Sequence, residues 1–381
     1  MHLRPRLKAG AFLAFLAVAA AGLLAAPAAA ATAGPEEAAV SYLQARAAAI
    51  ASRRPAAVLA PYVVRDSALA AREAFAARGT ALRLADLGHT VDEVSCDVAV
   101  VSSAADQAVA TVAAHAITTI RWHGRHGTSV QAYGIDHHLT LRCVDGTWRV
   151  AVDRSSDVEL PAQLERAGVP RPQVRAAARG LEAAARRTPV PVPVPVAQPQ
   201  GARPKVTAAV TPPKTFVERL AYDRDAAKAY ADKYALDYNR TYARFSADCC
   251  NFVSQGARAG DMPMAPGSWT SGWWYDKNGT SSPADDEYSW SWISCSRQIA
   301  CWLGTRIDWV ASVSGVSRGD VVYYDWTGDG SWDHVAIFAG TDGLGHKVID
   351  AHTTDHYHWY WKLGTADTRY RFGRVRTAWL Y

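Results

Sequence analysis

From Pro189 to Pro195 every second residue is proline, with valine between, and a polar, proline-containing stretch continues to Pro213. Alternate prolines fix φ and remove every second amide, so neither a helix nor an inner strand can run through them. The segment reads as an extended, semi-rigid spacer. It cuts the 381 residues into two parts of ordinary domain size. The expected organisation is a signal peptide over 1–31, a small α+β domain over 35–155, and a helical segment over 156–188. The spacer over 189–215 and a C-terminal domain over 216–381 complete it.

The first 31 residues have the three parts of a secretory signal. Arg4, Arg6 and Lys8 precede an uncharged apolar run from Ala9 to Ala26, and small residues follow from Ala28 to Thr32. The run approaches the ~20 residues a membrane span needs. Pro27 and the alanine string favour cleavage near Ala31, so the expectation is a secreted, extracellular protein that meets the membrane only during export. The chain has 41 basic and 36 acidic residues; without the three basic residues of the signal the balance is 38 against 36. That small excess makes no case for a nucleic-acid partner. With 49% hydrophobic and 20% charged residues the chain is globular rather than disordered. It is expected to be a monomer.

Glu36 to Ala77 is rich in Ala, Leu and Arg and reads as helix. Four β-segments are expected at Val94–Val101, Ala110–Ile120, Gly134–Leu141 and Trp148–Val152, with Asp145-Gly146 as a hairpin turn. Helix followed by a β-meander suggests a small α+β domain, of the cystatin or NTF2-like kind by analogy. Cys96 and Cys143 fall in this meander and suit a bridge between strands in an oxidising compartment. The basic stretch from Val174 to Arg187 reads as the solvated face of a helix.

Beyond the spacer, Tyr222 to Tyr238 reads as helical, and twelve of the fourteen tryptophans follow from Trp269 onward. Most of these should be core, with a subset lining a groove. The most informative segment is Asp248-Cys249-Cys250-Asn251-Phe252-Val253-Ser254-Gln255. Asp248 suits an N-cap, and a helix from Cys249 to Ala259 would end with Gly260 at C′. A cysteine in the first turn has its thiolate stabilised by free backbone N–H groups and the helix dipole. Further on, Arg318 to Tyr324 reads as a strand, and Asp333-His334-Val335-Ala336-Ile337 places His334 at the start of the next. Lys347 to His352 reads as a third, with Asp350 and His352 on one face. Cysteine on a helix, histidine on a strand and a polar residue on the following strand make a papain-like constellation.

These motifs resemble the putative amidase domain family, within the papain-like superfamily that includes the NlpC-type and CHAP-type cell-wall hydrolases. The resemblance rests on Asp248-Cys249, Asn251-Phe252, Ser254-Gln255, Gly319-Asp320 and Asp333 to Ile337, and covers about Tyr222 to Arg376. It implies a C-terminal papain-like domain of helix and antiparallel sheet. It further implies Cys249 as nucleophile, His334 as base and Asp350 or His352 as the group orienting the imidazole, Asp350 ranked slightly first. Asp248, Asn251 and Gln255 belong to the same motif, and Tyr238 or Tyr242 would help backbone amides hold an oxyanion. Cys250 departs from the pattern, whose usual residue there is small or hydroxylic.

Six cysteines in an exported chain can also make three disulfides. Cys295 and Cys301 are close enough for a local bridge, and the neighbours Cys249 and Cys250 cannot readily bridge each other. Two bridges, Cys96–Cys143 and Cys295–Cys301, with an unpaired vicinal pair are the expected count. Asp325, Thr327 and Asp329 imitate the start of a calcium loop, but the twelfth position is Ala336, so a polar turn is expected. Zinc spacings, P-loops and dinucleotide fingerprints are missing from the sequence, and neither metal nor cofactor is expected. The expected function is a cysteine amidase or peptidase acting on a peptide or peptidoglycan-like amide. The alternatives are an acyltransferase, separable by product analysis with added amine, and a non-catalytic wall-binding protein.

Overall fold

The computed structural model describes residues 34–185 and 221–377, apart from residues 66, 126 and 281. The expected signal peptide and spacer lie outside the described residues. The N-terminal part opens with α1 (Pro35–Ala48), whose proline occupies the position where a missing N–H costs nothing. α2 (Pro55–Leu59) and α3 (Ala68–Asp86) follow, then the meander β1 (Thr90–Asp106), β2 (Val109–Gly124), β3 (Gly127–Val144) and β4 (Thr147–Ser155). Asp145 and Gly146 take positive φ, 50° and 74°, as a tight hairpin between β3 and β4 requires. α4 (Leu160–Arg166) and α5 (Arg171–Ala185) end this part. Part of the basic character of α5 is used internally, where Arg171 and Arg175 pair with Asp367.

The C-terminal part begins with α6 (Arg224–Tyr234) and α7 (Cys249–Ala259). The short strands β5 (Tyr275–Asp276) and β6 (Glu287–Tyr288) and the helices α8 (Trp290–Ile293) and α9 (Cys295–Trp302) follow. The remaining strands are β7 (Ile307–Val310), β8 (Val321–Asp325), β9 (His334–Thr341), β10 (Lys347–Ala351), β11 (Asp355–Tyr360) and β12 (Arg369–Val375). Helices and an entirely antiparallel sheet in one chain make the fold α+β, as expected.

Strands from both sides of the spacer share one sheet. Its order is β1-β2-β3-β11-β10-β9-β8-β12-β7, with β4 also on β3. The 18-residue β3 makes this possible, since Ala132–Gly134 pair with β11 while His137–Val144 pair with β4. At the seam Gly134 faces Asp355, and a Cβ there would lie 3.0 Å from the His115 ring and 3.1 Å from Asp355 Cβ. Side chains on β8 to β10 alternate between two cores. Val321, Tyr323, Val335 and Ile337 pack with α6 and α7 residues. Val322, Tyr324, Ala336, Phe338 and Ile349 share a core with Tyr42, Leu43, Leu59 and Leu84 of the N-terminal helices. Burial on both faces explains why these strands read as continuous apolar runs. Nicking the chain within 189–215 should therefore leave the two pieces together. Size-exclusion chromatography of nicked protein is expected to give one peak holding both fragments; separation without denaturant would show that the shared sheet does not hold them.

The register corrects both expected disulfides, since all six cysteines are free. Cys96 on β1 is opposite Thr118 on β2, which is opposite Tyr133 on β3. Cys143 lies ten positions further along β3, roughly 30 Å at the usual rise per residue. Cys295 and Cys301 stand near opposite ends of α9; Cys295 is buried against Cys250 while Cys301 is half-buried. Six residues apart on a helix is a separation of more than one and a half turns.

Candidate active site

α7 starts where expected, but not for the expected reason. Asp248 stands at the N-cap, yet its side chain caps no amide of the helix. Its Oδ1 accepts hydrogen bonds from Phe245 N (2.8 Å) and Asn251 Nδ2 (2.9 Å), and its Oδ2 one from His352 Nδ1 (2.7 Å). The first-turn amides beside Cys249 are left without that cap, so the helix presents N–H groups and its positive dipole end there. At the other end Gly260 has φ −81°, and Asp261 at φ 65° takes the left-handed position expected of the glycine. Gly260 is required on other grounds: a Cβ would come within 2.5 Å of the Tyr222 ring.

Three sulfurs gather at the start of the helix. Cys250 Sγ lies 2.8 Å from Cys295 Sγ, and Cys249 Sγ lies 3.8 Å from it. The thiols do not behave alike. Hydrogen bonds from Cys250 and Cys295, joined by the charge and hydrogen bonding of His334, hold the Cys249 thiol well below its ordinary pKa. Burial pushes Cys250 and Cys295 well above it. Cys249 is thus the one of the three whose surroundings favour the thiolate form.

His334, the first residue of β9, is almost wholly buried, with its ring stacked on Trp326 (5.4 Å between centroids, 27°). Cys249, His334, Asp333 and Trp326 line one side of a cavity of about 290 Å³. The N-terminal part lines it too, with Val158, Leu160 and Pro161 and with Leu181 of α5. Trp326 is the sole tryptophan lining this cavity among the described residues. Trp273, Trp292 and Trp302 are core, while Trp269 stands exposed and stacked on Trp290.

The two residues expected to orient His334 are committed elsewhere. Asp350 is opposite Ile337 across β9–β10, so it shares the α6–α7 face of the sheet rather than that of Ala336 and Phe338, the face of His334. Burial there raises its carboxyl pKa to about 7. His352 uses both ring nitrogens, Nδ1 on Asp248 Oδ2 (2.7 Å) and Nε2 on Tyr234 O (2.8 Å). Burial alone would lower its pKa, but the Asp248 hydrogen bond and the Asp355 and Asp248 charges raise it above the usual histidine value. Among the described residues no hydrogen bond holds His334 Nε2, and aromatic stacking fixes the ring.

The other motif residues are structural. Asn251 donates to Ala243 O (2.8 Å) and accepts from Trp292 Nε1 (2.9 Å), while Gln255 accepts from the Tyr230 hydroxyl. Tyr238 donates to Asp355 Oδ1 (2.6 Å), and Tyr242 packs against Tyr275 and Trp292; neither lines the cavity. Asp320 is held by Arg224, Ser317 N and Val375 N. In the loop after β8, the Asp325 carboxylate accepts from the amides of Gly328, Asp329 and Gly330, the polar turn expected there. Sequence reasoning missed His356, a buried neighbour on β11. Burial, then the charges of His334 and Arg83, keeps it well below the usual histidine pKa. It also missed the N-terminal wall, for which no local motif exists.

Comparison with known proteins fits this geometry. Residues 221–374 match the family model described as putative amidase domain. The match spans the thiol helix and the histidine strand and leaves the N-terminal part outside. "Uncharacterized protein YhbB" of Bacillus subtilis (strain 168) is 32% identical over 173 residues, 42% of this chain and 53% of that protein. "Uncharacterized protein YjcM" of the same organism is 33% identical over 128 residues, 30% of this chain and 27% of that protein. The chain thus spans about half the length of the first relative and about a quarter of the second. The crystal structure of the intermembrane space region of chloroplast protein ARC6 aligns with 32% of this chain and 92% of its own, at 16% identity and a TM-score of 0.22.

Proposed function

We propose that the chain is a cysteine-dependent amidase or peptidase, with a papain-like site, that hydrolyses an amide bond in a peptide or peptidoglycan-like substrate. The observation carrying this reading is the asymmetry of the thiols. Cys249 alone of the three has its pKa lowered, and it faces the cavity beside His334. His334 takes the thiol proton, and the thiolate attacks the amide carbonyl. The uncapped first-turn amides of α7 are the donors that hold the oxyanion in this reading. His334 returns the proton to the leaving amine, and water then releases the acyl group from sulfur. The signal-like residues 1–31 support export of the enzyme.

The test is a thiol-directed acylating probe followed by intact-mass measurement and peptide mapping. One label on Cys249, lost in His334→Ala, supports the proposal; labelling spread over Cys96, Cys143 and Cys301 with Cys249 untouched defeats it. The pH dependence of labelling follows from the same shift. A free thiol titrates near about 8.5, and the rate tracks the thiolate. With its pKa depressed, Cys249 should keep reacting as pH falls below that value, where Cys96 and Cys301, whose thiols burial pushes up, slow. A Cys249 rate rising only with alkaline pH would show that the thiolate is not stabilised.

A further inference from the structure

Asp350 lies outside the proposed mechanism, and its surroundings need an explanation. It is wholly buried between β9 and β11, facing α6, and its Oδ2 meets no N–H donor among the described residues; its neighbour is another carboxylate, Asp232. Two carboxylates brought together in a buried place are costly unless a proton or a cation lies between them. Two further donors converge on it. Ligand atoms of Asp232 on α6, Asp350 on β10 and His358 on β11 all lie within 4.8 Å of one another.

The backbone is bent to bring them together. Ile349 pairs with Trp359 and Ala351 with His356, so Tyr357 and His358 together oppose Asp350 alone. This is a β-bulge, a device that re-aims side chains. His358 sits in it at φ 49°, a conformation that a non-glycine residue holds only when the surroundings demand it. Each carboxylate has one oxygen anchored and one turned inward. His358 N donates to Asp350 Oδ1 (2.7 Å), and Lys228 pairs with Asp232 Oδ2. Anchoring of this kind orients carboxylate ligands in metal sites. Asp232 Oδ1 lies 3.1 Å from His358 Nε2. Tetrahedral bonds of about 2.0–2.2 Å set ligand atoms roughly 3.3 Å apart.

We propose that Asp232, Asp350 and His358 bind a divalent transition-metal ion, with zinc as the fitting probe. Two carboxylate oxygens and one imidazole nitrogen are zinc-type donors, with water completing the shell. Calcium, which takes six to eight oxygens, is poorly served by three ligands. Asp232 and His358 are each about a quarter exposed, at 28%, which leaves an entry path from solvent. The site shares no residue with the Cys249–His334 pair, and it ties α6 to the β10–β11 hairpin.

The experiment is a Zn2+ titration of the full-length, chelator-stripped protein by calorimetry, beside Asp350→Asn and His358→Gln. The other clusters of metal-ligand type among the described residues, the three thiols and His89 with Asp342 and His346, are intact in both variants, so the difference isolates this site. The wild type is expected to bind one equivalent more than either variant, or to bind it at least about 10-fold more tightly, since even outer-shell losses cost that much. Ca2+ at equal concentration should not displace it. Equal stoichiometry and affinity in all three proteins would overturn the proposal. Should Asp350→Asn fail to fold by circular dichroism, His358→Gln, at the more exposed of the two ligands, decides alone.

Discussion

Cys249→Ala should abolish turnover and probe labelling, with kcat/KM down on the order of 10⁴-fold or more, as when a nucleophile acting as part of a unit is lost. Cys249→Ser should fare little better, because a hydroxyl in a site tuned for a thiolate stays protonated. Adding His334→Ala to Cys249→Ala should cost almost nothing further, since both serve one step. Cys250 is the control that its position invites. It is fully buried with its sulfur against Cys295, and burial raises its pKa well above the thiol value. Yet its hydrogen bond is the largest contribution lowering the Cys249 pKa. Cys250→Ser keeps a donor at that place and should keep most of the activity, whereas Cys250→Ala should keep labelling but move it to higher pH. Activity in Cys249→Ser with loss in Cys250→Ser would transfer the role to Cys250. Loss in neither would end thiol catalysis as an explanation.

The parts of this site legible in the sequence were those set by local rules. The start of α7 at Cys249, the start of β9 at His334 and the Asp145-Gly146 turn each follow from a few neighbouring residues. Alternation along β10 correctly placed Asp350 and His352 on one face. Choosing which face requires the register of β10 on β9, and that register sends both toward α6 and α7 while His334 follows Ala336 and Phe338. The disulfide expectation failed for the same reason. Cys96 and Cys143 read as neighbours in a meander, and only the intervening β2 and a ten-residue offset separate them. The β3–β11 pairing joins residues more than two hundred positions apart. No periodicity carries that information, so the N-terminal wall of the cavity could not be foreseen.

Asp248→Ala should be among the most destabilising single changes in the C-terminal part, at about 3–5 kcal/mol, the range for breaking a buried charged pair by removing one partner. The reason lies in what Asp248 holds, because it is not a conventional cap. Its two oxygens take Phe245 N, Asn251 Nδ2 and His352 Nδ1, and both Asp248 and His352 are nearly inaccessible to water. The other ring nitrogen of His352 donates a hydrogen bond to Tyr234 O, and the ring is packed on Phe252 at 4.1 Å between ring centroids. Removing the carboxylate strands a protonated ring between α6 and α7 with one nitrogen unpaired. Asp248→Asn, which keeps an acceptor for Phe245 N, should lose less. Adding His352→Leu to Asp248→Ala should recover part of the loss, since the stranded charge goes with it. Denaturant unfolding reads all three, with the midpoint falling and the slope unchanged. A midpoint for Asp248→Ala within error of the wild type would show that the pair contributes nothing. Because Asp248 directly precedes Cys249, the same variant should also slow Cys249 labelling under conditions where the protein is still folded. That second readout separates a loosened helix start from a general loss of stability.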